Sequence, residues 1–356
     1  MSERLVSLFL SLVAIDSPSG KEEHLRSHIL SILQRLGISY QQDSFGNVLA
    51  FVNCKENPPL TFACHLDTVP NAVGVKAMIT DGVIRSDGTT ALGADDKIAV
   101  ALALLLAEEK HLYGPFGLLF TVREEEGLLG AKHLGQYLLD QLSQVFVFDT
   151  GRPVGTAIIR APSKLDIHLT FIGKAAHAGV SPELGISAIS IAAKAINAMK
   201  LLRLDEMTTA NIGSIHGGTS TNVVCDRVEV HMEVRSLEQE RSLKQLEDIR
   251  CCCTEACTEI GGQFKLDSEV SYEGYRIEDS EALIRFEAAC VQLNLKMNAI
   301  PTGGGSDVNI LRGKGLDALL LGCGYEKAHS TEERIAIQEI ERMLGVARAL
   351  LVLAQG

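Results

Sequence analysis

Cys64-His65-Leu66-Asp67-Thr68-Val69-Pro70 follows directly on the apolar run Pro59-Leu60-Thr61-Phe62-Ala63. The run reads as a buried strand. That strand ends by delivering His65 and Asp67, two residues apart, and the twofold period of a strand puts both on one face. A neutral imidazole can ligate a metal, and a nearby carboxylate can fix its tautomer and raise its basicity. Pro70 has no N–H to donate and stops the pairing at the top of the strand. By itself His65 also reads as an ordinary loop histidine. Further acidic or histidine clusters at other strand ends give it a different weight.

Upstream, Leu5, Leu8, Leu12 and Ile15 fall at helical spacing. Residues 2–15 therefore read as an amphipathic core helix and not as a leader peptide, with Glu3 where a basic region would lie. Ser19 and Glu22 read as a capping box for a second helix that Gly37 ends. Downstream, residues 75–86 bracket Asp81-Gly82 and read as a hairpin. Gly93-Ala94-Asp95-Asp96-Lys97 leads into a long Ala/Leu helix over 98–109. Residues 115–122 form a buried strand that ends in Arg123-Glu124-Glu125-Glu126-Gly127, and a helix is expected over about 130–139. Residues 144–148 form another strand, ending in Asp149. Helices alternating with apolar strands, and polar residues at the strands' carboxyl ends, describe an open α/β sheet with its site along that edge.

The pattern then changes. Strands at 165–172, 211–215, 228–235 and 264–270, with helices over about 185–202 and 237–260, make a β-α-β-β-α-β run. After residue 276 the first style returns, with a helix over 280–293, the loop Thr302-Gly303-Gly304-Gly305-Ser306-Asp307, a strand over 318–322 and a closing helix from Glu332. The expected fold is α/β. A mixed, mostly parallel sheet with helices on both faces spans residues 1–163 and 275–356. An inserted α+β unit at 164–274 carries a four-stranded antiparallel sheet and two helices.

A chain of 356 residues exceeds one comfortable core, in keeping with two domains. The net charge of −12 and the absence of Trp argue against a nucleic-acid or anionic-membrane partner. No apolar run is long enough to span a bilayer. The nine cysteines are odd in number and three are adjacent, Cys251 to Cys253. This is a poor disulfide framework, and some of the cysteines read as small buried hydrophobes in a reducing cytoplasm. The alternative for Cys251 to Cys253 with Cys257 is a soft-metal site, for which no second Cys-x-x-Cys pair completes the set.

Five strand-end positions then stand out: His65, Asp95, the Glu124-Glu125 pair, Asp149 and His329. Asp95 could be a helix cap, the Glu run a solvated first turn, Asp149 a turn residue and His329 a loop residue. Gathered at one edge of one sheet, the acids would repel, and a divalent cation is the natural remedy.

The ordered set His-Leu-Asp-Thr-Val-Pro, Gly-Ala-Asp-Asp-Lys, Glu-Glu-x-Gly, Asp149 and His329 resembles the co-catalytic di-zinc peptidases, which include peptidase T, carboxypeptidase G and the aminoacylases. Gly93-Ala94-Asp95-Asp96-Lys97 and Gly173-Lys174-Ala175-Ala176-His177-Ala178-Gly179 place it nearest the peptidase T-like group. The resemblance covers nearly the whole chain. It implies two divalent ions, zinc first and cobalt or manganese next. Asp95 would bridge them, with His65 and Asp149 on one and Glu125 and His329 on the other. Glu124 would be the general base, and Asp67 would orient His65. The Asp95–Asp96 peptide bond would be cis. His177, Asn222, Arg235 and the Gly304-Gly305 loop would hold the substrate, and the inserted unit would be a lid and a homodimer contact. In the family's tripeptidases an Arg precedes the late Gly-Gly. Gly303 stands there in this chain, which leaves strict tripeptide specificity open. The expected activity is hydrolysis of short peptides from a free N-terminus, in the cytoplasm. An N-acyl amino acid deacylase or carboxypeptidase of the same architecture, or a non-catalytic metal-binding module, are the alternatives.

Overall fold

A computed structural model describes residues 2–355. The chain divides into two compact units: Met1–Ile159 with Ile277–Pro301 and Ser306–Gly356, and Arg160–Arg276 with Thr302–Gly305.

In the first unit Leu60–His65 and Phe116–Thr121 are buried at every residue, as strands covered on both faces are. They lie in the middle of a mixed sheet. Its order is Ser39–Gln42, Val48–Val52, Phe116–Thr121, Leu60–His65, Gln144–Thr150, Asp317–Gly322 and Thr156–Ala161. The central four strands run parallel and the flanking pairs antiparallel. Parallel neighbours need a crossover. The helix Ala94–Glu108 lies in the crossover from Leu60–His65 to Phe116–Thr121 and is buried along nearly its whole length, which is why its sequence is apolar on all sides. Because the central strands are parallel, the segments that follow His65, Thr121, Phe148 and Gly322 all emerge at one edge.

A smaller sheet orders Tyr325–Glu326, Arg334–Ala336, Val83–Ser86 and Ala77–Thr80. Its hairpin turns at Asp81 and Gly82, both at positive φ (52° and 74°), as a two-residue turn of that hand requires. Pairing of Tyr325–Glu326 with Arg334–Ala336 closes the loop that carries His329.

Two local expectations are corrected. The helix expected over 130–139 is two short pieces, Leu129–Lys132 and Gln136–Leu139. Gly135 leaves helical geometry between them and donates its N–H to Asp43 Oδ2 at 3.0 Å, so a distant carboxylate outweighs local propensity. The capping box does not form either. Glu23–Arg35 has no side-chain cap; Ser19 Oγ donates to Asp67 Oδ2 at 2.7 Å, and Glu22 accepts the N–H groups of Gly20 and Arg123 at 2.8 and 3.1 Å.

Gly130 has a specific job beside the Glu124 loop. A Cβ there would meet the Val122 carbonyl oxygen and stand 2.7 Å from Asn47 Oδ1. Gly130→Ala is expected to cost about 1–3 kcal/mol through overpacking, read as a lower denaturation midpoint at unchanged slope. A midpoint equal to wild type would contradict the packing described.

The second unit is a five-stranded antiparallel sheet in the order Leu202–Arg203, Thr208–Gly217, Arg227–Ser236, Ser163–Ile172 and Gln263–Tyr272. It contains the four long strands expected, with a two-residue strand at one edge. Leu165, Ile167, Leu169 and Phe171 alternate inward and meet Val228, Val230, Met232 and Val234. The helices Ala188–Ala198 and Gln239–Ile260 complete that core. Cys253 is part of it, and burial pushes its thiol up to about 12, so it behaves as a small hydrophobe. All nine cysteines are free. Among the described residues no helix is long and apolar enough to cross a membrane.

Candidate metal centre

The first unit brings the five strand-end candidates together. His65 closes its strand almost fully buried, with Nδ1 2.9 Å from the Asp67 backbone carbonyl and 3.4 Å from Asp67 Oδ1. A carbonyl only accepts, so Nδ1 carries a proton and Nε2 faces the site. Nε2 lies 3.2 Å from Asp95 Oδ1 and 3.7 Å from Asp149 Oδ1. On the other side, His329 Nε2 lies 3.4 Å from Asp95 Oδ2 and 2.7 Å from Glu125 Oε1. The two oxygens of Asp95 thus face two separate imidazole–carboxylate sets. The Asp95–Asp96 peptide bond is cis, as the resemblance implies.

Charge at the centre is unbalanced. Burial would lower the His65 pKa, but Asp149, Asp67 and Asp95 hold it well above the usual imidazole range. Asp95 and Glu125 push His329 up to about 10. Burial raises the Asp95 carboxyl, yet hydrogen bonds from His329 and His65 outweigh it and keep it below the usual carboxylate range. Burial, then Asp149, pushes Glu124 well above that range, and burial lifts Asp149 to about 7. Each histidine therefore holds a proton between two carboxylates, where a cation would sit. Glu125 Oε1 is buried and, although close to His329, has no partner in hydrogen-bond geometry. Bonds of about 2.0–2.2 Å in a tetrahedral site separate ligand atoms by about 3.4 Å. Imidazole and carboxylate donors at these spacings fit two divalent transition-metal ions.

Asp67 does something the sequence did not indicate. Its carboxylate Oδ1 accepts the Glu124 N–H at 2.9 Å, and Oδ2 accepts the Glu125 N–H at 3.1 Å. It therefore fixes the two glutamates as well as His65, whose ring is held mainly by the Asp67 carbonyl.

Three further acids escaped the sequence reading. Asp96 is fully buried, accepts the His65 N–H at 3.2 Å and offers a donor beside His65 and Asp149. Glu333 is buried and accepts the N–H groups of Gly93 and Asp95 at 2.8 and 3.1 Å, which fixes the turn that presents Asp95. Asp307 is buried, accepts from Thr121 Oγ1 at 2.6 Å and leaves Oδ1 unpartnered; burial lifts its carboxyl to about 6. The only sequence signal for Asp307 was its place after three glycines, and Asp96 had its place beside Asp95. Glu333 gave none.

The candidate substrate residues lie in the second unit, in two groups. His177 bridges Val223, and Ala178 N–H donates to the Asn222 carbonyl at 2.9 Å. This pair sits where Arg227–Ser236 begins, since Gly173 N–H bonds the Asp226 carbonyl at 2.8 Å. Arg235 lies near the strand's far end and donates to both oxygens of Glu233 at 2.8 and 3.2 Å. Its register partner Lys164 pairs in turn with Tyr272. A Cβ on Gly305 would run into the Tyr272 ring, so only glycine fits there. Gly304 N–H donates to Thr302 Oγ1 at 3.2 Å. The glycine loop and Arg235 are thus at one end, and His177 with Asn222 at the other.

The comparisons with known proteins fit this arrangement. Residues 162–259 match the peptidase dimerisation domain, and residues 47–178 match peptidase family M28. An uncharacterized protein of Bacillus subtilis, YqjE, is 36% identical over 98% of each chain. A crystal structure of a tripeptidase from Staphylococcus aureus is 38% identical, with a TM-score of 0.91 over 100% of this chain and 99% of that one. A crystal structure of the aminopeptidase PepT from Bacillus cereus is 34% identical, with a TM-score of 0.86 and the same coverage. The fold is that of a metallopeptidase. The chain belongs to the peptidase T-like group of the co-catalytic metallopeptidases.

Proposed function

We propose that the protein hydrolyses the peptide bonds of short peptides with a free N-terminus, as a two-metal aminopeptidase. The observation that carries this reading is the split of Asp95, Oδ1 towards His65 and Asp149, Oδ2 towards Glu125 and His329. Those five residues would hold two divalent ions, zinc first by their donor set and cobalt or manganese as alternatives. Bound there, such ions supply Lewis acidity and lower the pKa of water from 15.7 towards about 7. Glu124 takes the proton of the attacking water and returns it to the leaving amine. Burial raises the Glu124 carboxyl above the usual carboxylate range, which makes its carboxylate a stronger acceptor for the water's proton. Asp67 holds the Glu124 backbone so that its side chain keeps its aim. By the resemblance, His177 donates to the developing oxyanion, Asn222 assists, and Arg235 with the Gly304-Gly305 loop receives the substrate's carboxylate and backbone.

The spacing inside the second unit supports a homodimer. From Arg227 to Arg235 the strand rises about 26 Å at about 3.3 Å per residue. An extended tripeptide spans only about 10 Å. One short substrate cannot meet His177 and Arg235 of the same inserted unit. We infer that these residues serve different sites, His177 and Asn222 acting on the partner's substrate.

The test is a panel of free and N-acylated di- and tripeptides. An aminopeptidase cleaves the free peptides and spares the blocked ones; preferential cleavage of N-acyl amino acids would replace this reading with a deacylase. In the same panel Arg235→Met is expected to lower kcat/KM roughly tenfold to a hundredfold, from the about 1.5–3 kcal/mol of a charged hydrogen bond. Substrates with an amidated C-terminus should lose much less. Equal losses on both substrate types would remove Arg235 from carboxylate binding.

A further inference from the structure

The inserted sheet has a second face, opposite its helices, and that face carries histidines the peptidase reading does not use. His168 and His231 are directly opposed across Ser163–Ile172 and Arg227–Ser236. Their neighbours along each strand, Ile167, Leu169, Val230 and Met232, point into the core, so both imidazoles stand on the outer face. The rings lie parallel, with centroids 4.3 Å apart and an interplanar angle of 14°. Glu229, two residues before His231, shares that face. One donor atom from each of the three lies within 4.8 Å of the others.

Two observations favour a ligand over a plain cross-strand ring pair. His168 Nε2 is buried and has no hydrogen-bond partner, a costly state for an imidazole nitrogen. Glu229 is engaged on one oxygen only: Arg227 donates to Oε1 at 3.1 and 2.7 Å, which leaves Oε2 for another partner. Tetrahedral ligation at about 2.0–2.2 Å needs donors about 3.4 Å apart, so the two parallel rings must swing towards one another for both nitrogens to reach one ion. Asp267 faces His168 from the strand on its other side but is held by Lys265 Nζ at 2.6 Å; a water is the simpler fourth ligand. Two imidazoles and a carboxylate select zinc, nickel or copper over calcium or magnesium.

We propose that His168, His231 and Glu229 form a further site for a divalent transition-metal ion, separate from the peptidase centre, that clips strand Ser163–Ile172 to strand Arg227–Ser236. This stands whether or not the catalytic reading holds.

Zinc uptake by the full chain, measured by equilibrium dialysis against Zn2+ alone, tests it. His231→Gln, at an exposed position, is expected to bind one equivalent fewer than wild type while peptide hydrolysis is unchanged. Glu229→Gln should weaken that same equivalent at least tenfold. Asp95→Ala should retain it, which separates its fate from that of the catalytic ions. Equal zinc stoichiometry in wild type and His231→Gln would overturn the proposal. So would an extra equivalent that persists when both His168 and His231 are replaced by Asn.

Discussion

Glu124→Gln is expected to lower kcat on unblocked short peptides by about 10²–10⁴-fold, the usual contribution of a positioned general base, while the protein keeps the metal content of wild type. The amide keeps the side chain's size, and the bond that fixes this loop runs from the Glu124 backbone N–H to Asp67, not from its side chain. The loop should therefore hold its shape, and Glu125 should stay beside His329. What is lost is the only function an amide cannot perform here, which is to accept the water's proton and give it back. KM should move little, because substrate affinity rests on other residues. Turnover within tenfold of wild type would move the base to another buried acid, with Asp307 the nearest in character.

Asp95→Ala has a different expected signature: both catalytic metal equivalents are lost and hydrolysis falls to background. The reason is geometric. Asp95 offers one oxygen to the His65 side and the other to the His329 side, so its removal strips both sets at once. His329→Ala should strip only one. Chelation of the wild-type protein should reproduce the Asp95→Ala loss of activity and lower thermal stability. A cation filling its site at a hundredfold its Kd contributes about 2.7 kcal/mol to folding, and Asp95, Asp96, Glu124, Asp149 and Asp307 are left crowded without it. Asp95→Ala protein that still carried a tightly bound ion beyond the equivalent assigned to His168, His231 and Glu229 would show that the two sets are independent, and the bridging role would fall.

Much of the first unit was legible because its strands are buried on both faces. Leu60–His65 and Phe116–Thr121 read as apolar runs, and each is followed by residues no core would accept. The strands of the second unit were legible for the opposite reason, since Arg227–Ser236 alternates strictly. What could not be read was decided across distance. Ser19 looked like a local cap but bonds Asp67, and Gly135 breaks a helix to reach Asp43. Glu333 carried no signal in the sequence, yet it is buried against the backbone of Gly93 and Asp95, more than two hundred positions earlier. Asp96 stood out only by its place beside Asp95, but its carboxyl accepts the His65 backbone N–H. A sequence shows which residues could carry chemistry. It does not show which distant acids hold them in place.

The central claim is a pair of cations shared by Asp95 and used to cleave peptides. The most direct test is the metal content of the purified protein, taken together with hydrolysis of an unblocked tripeptide before and after chelation and again on adding zinc back. Two catalytic equivalents that disappear in Asp95→Ala, with cleavage lost on chelation and restored by zinc, are the predicted result. Cleavage that survives complete metal removal, or a protein that takes up no metal after incubation with zinc, would contradict it.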